Sequence, residues 1–68
     1  MKTKSWYIIS DYGHGDRSIV HRNLSKKEAV DLLNKETRNN NFESFEKAYA
    51  YTDGIYRILS EVEVLSYF

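Results

Sequence analysis

Residues 4–12, KSWYIISDY, collect aromatic and β-branched side chains, a composition that suits a strand. Residues 17–23, RSIVHRN, read as a second strand. Between them, Gly13 and Gly15 allow the positive φ that a tight reversal uses. Pairing Asp11 with Arg17 sets Ile9 opposite Ile19, Tyr7 opposite His21, Ile8 opposite Val20 and Trp6 opposite Arg22. That register yields an ion pair, two apolar pairs and a cation–π contact. A slip of one residue would set Ile8 against His21 and Asp11 against Ser18. Both faces of the hairpin are partly apolar, so it needs cover on two sides.

The spacing then changes to that of a helix. Ser25 stands at an N-cap position with Glu28 three residues on, the capping-box spacing, and Leu24 precedes it as a hydrophobic staple. Ala29, Val30, Leu32 and Leu33 share one side, while Lys27, Asp31 and Lys35 line the other at i,i+4 steps. Asn39, Asn40 and Asn41 favour turns, so the helix is expected to end near Arg38.

The C-terminal stretch AYAYTDGIYRIL places Asp53-Gly54 between two aromatic and β-branched runs, the pattern of a two-residue type I′ hairpin. Such a turn sets Thr52 opposite Ile55, Tyr51 opposite Tyr56, Tyr49 opposite Ile58 and Phe45 opposite Val62. It gathers Phe45, Tyr49, Tyr51, Tyr56, Ile58, Val62 and Val64 on one face. Helical readings compete here. Residues 42–49 also fit a short helix capped by Asn41, and Ile55, Ile58, Leu59, Val62 and Leu65 fit a helical stripe. Asp-Gly and the recurring β-branched residues favour a strand for the second segment. Whether residues 42–49 are helix or strand stays open, with a strand from about Glu46. The expected fold is α+β within a single domain spanning residues 1–68. It consists of a small antiparallel sheet of two hairpins, ββαββ, with one helix on one face.

A chain of 68 residues buries a modest core. It has no cysteine, which removes disulfides and cysteine-based zinc sites as reinforcement and leaves self-association or a partner. Net charge is zero, yet unevenly spread. Residues 1–41 carry eight Lys and Arg against five Asp and Glu; residues 42–68 carry two against five. No run reaches the roughly 18 apolar residues of a membrane span. The first six residues do not read as a signal peptide, so a cytoplasmic protein is expected. Residues with AT-rich codons (Phe, Tyr, Met, Ile, Asn, Lys) number 26 against 10 for Gly, Ala, Arg and Pro, a skew that suits a phage or mobile-element accessory protein.

Catalytic and metal chemistry finds little footing. SDYGHGDRS, residues 10–18, lacks the helix that must follow a phosphate loop. Asp11, His14, Asp16 and His21 match no metal-ligand spacing. It reads as a turn with an exposed histidine at its tip. No serine sits in a nucleophile elbow, and a domain of this size has little room for a substrate pocket. No enzyme activity, cofactor or metal is expected.

Binding remains. A single helix cannot cover both faces of four strands, so exposed aromatics should meet a protein partner, the chain itself included as a homodimer. The expected contact residues are Trp6, Tyr12, His14, Arg22, Tyr67 and Phe68. The chain then reads as a non-enzymatic interaction module that inhibits or modulates a host protein. The alternative is a single-stranded nucleic-acid binder that stacks bases on Trp6 and Tyr7 beside Arg22, Lys26 and Lys27. Zero net charge weighs against it.

Overall fold

The computed structural model describes residues 4–68. Residues 1–3, part of the segment read as lacking a signal peptide, lie outside the described residues. The elements run β1 (Trp6–Asp11), β2 (Arg17–Leu24), α1 (Lys26–Thr37), α2 (Phe45–Ala50), β3 (Tyr56–Ser60) and α3 (Glu61–Tyr67). Three antiparallel strands form one sheet in the order β2-β1-β3. The class is α+β, as expected. The ββαββ layout is not: among the described residues there are three strands and three helices.

The N-terminal hairpin follows its expected register at first and then departs from it. Asp11 pairs with Arg17 and Ile9 with Ile19, but Ile8 pairs with His21 and Trp6 with Leu24. Two irregularities in β2 absorb one extra residue each, one at Val20 and one between His21 and Leu24. Asn23 takes φ 58 in the second, a left-handed conformation that asparagine tolerates. The shift matters for packing. It delivers Leu24 to the buried face beside Trp6, immediately before the first helix.

α1 begins as its capping box dictates. The Ser25 hydroxyl accepts from the Glu28 amide at 3.1 Å, and the Glu28 carboxylate accepts from the Ser25 amide at 2.9 Å. Ala29 and Leu33 are buried, and Lys27 pairs with Asp31 at 3.7 Å on the outer side. The helix ends at Arg38, where φ turns to 63. The following loop is clamped by Asn34. Its side-chain amide donates to the Phe42 carbonyl at 3.1 Å, and its carbonyl accepts from the Phe42 amide at 2.8 Å. One side chain thereby pairs a loop backbone on both of its polar groups, as a neighbouring strand would.

The second hairpin does not form. Ser44, not Asn41, caps α2, its hydroxyl accepting from the Lys47 amide at 3.3 Å. Residues 45–50 are therefore helical, with Ala48 fully buried and Phe45 stacked on Tyr49 one turn later at 5.6 Å. Neither Asp53 nor Gly54 has the positive φ a type I′ turn requires. β3 pairs with β1 instead, setting Ile58 against Ile8 and Tyr56 against Ser10. At Ser60 the strand ends in a second capping box, with Glu63 as the partner, and the chain enters α3. Val62 and Val64, expected on a strand, are helical.

The main core lies between one face of the sheet and the helix pair α1–α2. Ile8, Leu24 and Ile58 from the sheet meet Ala29 and Leu33 from α1 and Ala48 from α2. Trp6 completes it from the rim, its ring edge-on to Phe45 at 4.7 Å and Tyr49 at 5.7 Å. On the opposite face Ile9 is fully buried, and α3 packs on β3 and β1 with Val64 turned inward. A lone helix leaving one sheet face bare is therefore incorrect: helices lie against both faces, and Trp6 is half-buried within the fold.

Candidate interaction surface

α3 is seven residues long, and a helix this short has little stability of its own. Three features hold it in place. The Ser60–Glu63 box caps its start. The Tyr49 hydroxyl donates to Glu63 at 2.6 Å, tying α3 to α2. Burial raises the Glu63 pKa, but the hydrogen bonds from Tyr49 and Ser60 outweigh it, so the carboxyl lies below its ordinary value. The same bond to Glu63 pushes the Tyr49 hydroxyl upward.

The third feature is Tyr67, which anchors the far end of α3 to the hairpin. Its hydroxyl donates to Asp11. Arg57 Nη1 approaches that hydroxyl at 3.4 Å, while Arg17 lies over the ring at 4.6 Å and donates from Nη1 to the Tyr67 carbonyl at 2.8 Å. Asp11 also accepts from the Gly13 amide at 2.9 Å and lies 3.7 Å from Arg17 Nε. The Tyr67 hydroxyl above all, then the Gly13 amide, hold the Asp11 carboxyl below its usual value. Tyr67 moves the other way, upward, because its proton is held by Asp11. Asp11 thus joins turn, strand and C-terminal helix in one cluster.

This anchoring leaves large apolar side chains of α3 and the residue after it facing water. Val62 is 73% exposed, Leu65 78% and Phe68, just beyond the helix, 57%. Val64 faces inward, while Glu61 and Ser66 share the exposed side of the helix with Val62 and Leu65. Beside its C-terminal end, Gly15, Arg17, Tyr67 and Phe68 line an open hollow of about 310 Å³.

The residues expected to touch a partner separate into two groups. Tyr67 and Phe68 gather with Arg17 at the hairpin-turn end, where Tyr12 and His14 are exposed on the adjoining turn. Tyr67 is half-buried there and acts as the anchor. Trp6 and Arg22 lie toward the other end of the hairpin; Arg22 is exposed, and Trp6 is engaged by Phe45 and Tyr49. Of the nucleic-acid set, Lys26 sits over the Phe45 ring at 5.3 Å, close to Trp6, and Lys27 is paired with Asp31. Tyr7 pairs with Leu59, so strand alternation turns it to the sheet face opposite Trp6. These residues form no continuous stacking platform.

The exposure of Val62 and Leu65 was not foreseen, because the strand reading put Val62 on one face with the other apolar residues. Glu63 stands three residues after Ser60, the same capping-box spacing as Ser25 and Glu28, a signal that the strand reading of this segment did not use. The turn at residues 12–16 is a closed reversal, with the Asp16 amide donating to the Gly13 carbonyl at 2.9 Å and the Tyr12 amide to the Asp16 carbonyl at 2.9 Å. Among the described residues no group of three His, Cys, Asp or Glu is arranged to hold a metal, and no helix is long and apolar enough to cross a membrane. Comparison with protein-family models, curated proteins and solved structures finds no match to this chain.

Proposed function

We propose that this chain is a small non-enzymatic interaction module that binds another protein through the outer ridge of α3. The observation that carries the reading is the pair Val62 and Leu65, both more than seventy per cent exposed on a helix whose opposite side is already buried. Water contact along that ridge is unfavourable by roughly 25 cal/mol for each Å² of apolar surface, and a partner removes it. Phe68 extends the ridge, and Tyr12 and His14 lie on the adjoining turn, where they supply polar and aromatic contacts at its rim. Modulation of a host protein by a phage or mobile-element accessory factor is the biological setting that suits a chain of this size and composition.

Single-stranded nucleic-acid binding is the weaker reading. Its central aromatic, Trp6, has its ring edges against Phe45 and Tyr49, and Tyr7 lies on the other side of the sheet. The two readings separate by salt and by site. Affinity capture with the wild-type chain and a Leu65→Asp variant, with bound proteins identified, should show a partner lost only in the variant. A Leu65→Asp variant that keeps every partner, or binding to oligonucleotides that falls steeply between low and moderate salt, would overturn the interaction reading.

A further inference from the structure

We infer that the hollow bordered by α2, β3 and α3 binds a small monocarboxylate with an apolar or aromatic body, held by Arg57. The site is separate from the exposed ridge of α3 and does not depend on it. The hollow measures about 240 Å³, and its lining includes Tyr49, Tyr51, Arg57, Leu59, Glu63 and Tyr67. Pockets for drug-sized ligands start at roughly 300 Å³, so this one suits a smaller molecule. Arg57 is the one cation among the described lining residues. Its Nε is shielded from water and makes no hydrogen bond. A shielded donor without an acceptor is unfavourable, and such groups are ordinarily paired.

The protein's own carboxylates do not serve it. Asp11 accepts from Tyr67 and Gly13 and pairs with Arg17, and among the described residues Arg57 forms no salt bridge. One contact engages the guanidinium, Nη1 to the Tyr67 hydroxyl at 3.4 Å, which is long for a hydrogen bond. A carboxylate fits this unspent fork, because it accepts two parallel N–H bonds at once. Nε is covered, so the guanidinium turns into the hollow to meet the ligand and gives up only that long contact. Leu59 and the tyrosines then cover the body of the ligand. Glu63 limits the charge. Its carboxylate accepts from the Tyr49 hydroxyl and the Ser60 amide, both neutral donors, so its charge is not cancelled. A second negative group on the ligand would be repelled, and the hollow takes a monocarboxylate in preference to a phosphate or a dicarboxylate.

Phenylacetate is the probe, read by the Arg57 Nε–H resonance in two-dimensional NMR of the full chain. It should shift that resonance saturably. Phenylacetamide, the same shape without the charge, should bind about tenfold more weakly, and inorganic phosphate more weakly still. Arg57→Lys keeps the charge but loses the planar fork and should weaken phenylacetate about tenfold. Arg57→Met should abolish binding. The backbone amide spectrum confirms that each variant is folded, and the comparison of the three probes needs no variant. Phenylacetamide binding as tightly as phenylacetate, phosphate binding more tightly than either, or shifts centred on Arg17 with Arg57 unmoved would overturn the proposal. So would a failure to approach saturation by about 10 mM phenylacetate. Leu65→Asp should bind phenylacetate as the wild-type chain does. Loss of binding in that variant would place the ligand on the ridge and overturn the site at Arg57.

Discussion

The N-terminal part of the molecule, β1 through α1, and the C-terminal part, α2 through α3, relate differently to their sequences. In the first, the turn and helix-end signals all hold, and only the register of β2 departs from simple pairing. The glycines of the turn adopt φ 86 and 81, the capping box closes at Ser25, and the asparagine run follows the end of the helix. In the second, the signals compete. Spacing that pairs Tyr49 with Ile58 across a hairpin also stacks Phe45 on Tyr49 along a helix. The helix wins because Ala48 and Phe45 then reach the core beside Trp6, while β3 finds a better-matched neighbour in β1, Ile58 against Ile8. The comparison teaches that a short apolar run takes its conformation from its partners when two periodicities fit equally well.

The largest effect should come from the shared core, where the sheet and helices of the two parts pack together. Ile58→Ala and Leu33→Ala each remove a fully buried side chain and should cost about 2–5 kcal/mol in chemical denaturation. If the parts form one cooperative unit, both variants shift a single transition. Two resolved transitions would show that the C-terminal part melts separately.

Asn34→Ala should cost about 1–3 kcal/mol, because the Phe42 amide and carbonyl lose both partners at once. Loosening of the 38–44 loop, read as faster amide exchange at Phe42, should accompany it. The turns provide a sharper contrast. Gly15→Ala, at φ 81, should destabilise by about 1–2 kcal/mol. Gly54 lacks that conformation, so its replacement is resisted only by the Tyr51 side chain, whose hydroxyl would overlap the new Cβ. In a Tyr51→Ala background the further cost of Gly54→Ala should largely vanish. A cost that persists there would restore a turn of the I′ type.

The two capping boxes should be near equals. Ser25→Ala and Ser60→Ala should each cost about 1 kcal/mol. A much larger loss at Ser60 would show that α3, shorter and dependent on Tyr67, unravels entirely.

The smallest effect is in acid. Asp11 has a folded pKa below its ordinary 3.8, so its contribution is present above that value and lost as pH falls through the folded one. Asp11→Asn should be less stable than wild type at neutral pH, and the two curves should converge as pH falls toward 2. Curves that stay parallel throughout would mean the Asp11–Tyr67 contact contributes nothing.

The candidate surface was less legible than the fold. Tyr67 and Phe68 stood out as aromatics in the last segment, and in the fold they lie together beside Arg17 at the hairpin-turn end. Which of them is anchor and which is rim could not be read, because Asp11 is 56 residues from Tyr67 in sequence. Val62 and Leu65 were hidden for a related reason. A valine on a strand and a valine on a helix point to different places, and the local spacing permitted both.

Local chemistry alone determined the first turn, the start and end of α1 and the cap spacing at Ser60, because each depends on groups within four residues of one another. Tertiary structure decided the conformation of residues 45–50, the partner of β3, the bulges that bring Leu24 inward and the outward aspect of α3. Those outcomes depend on which apolar surfaces meet across the sheet. The free energy of that meeting exceeds the small differences in local preference between helix and strand.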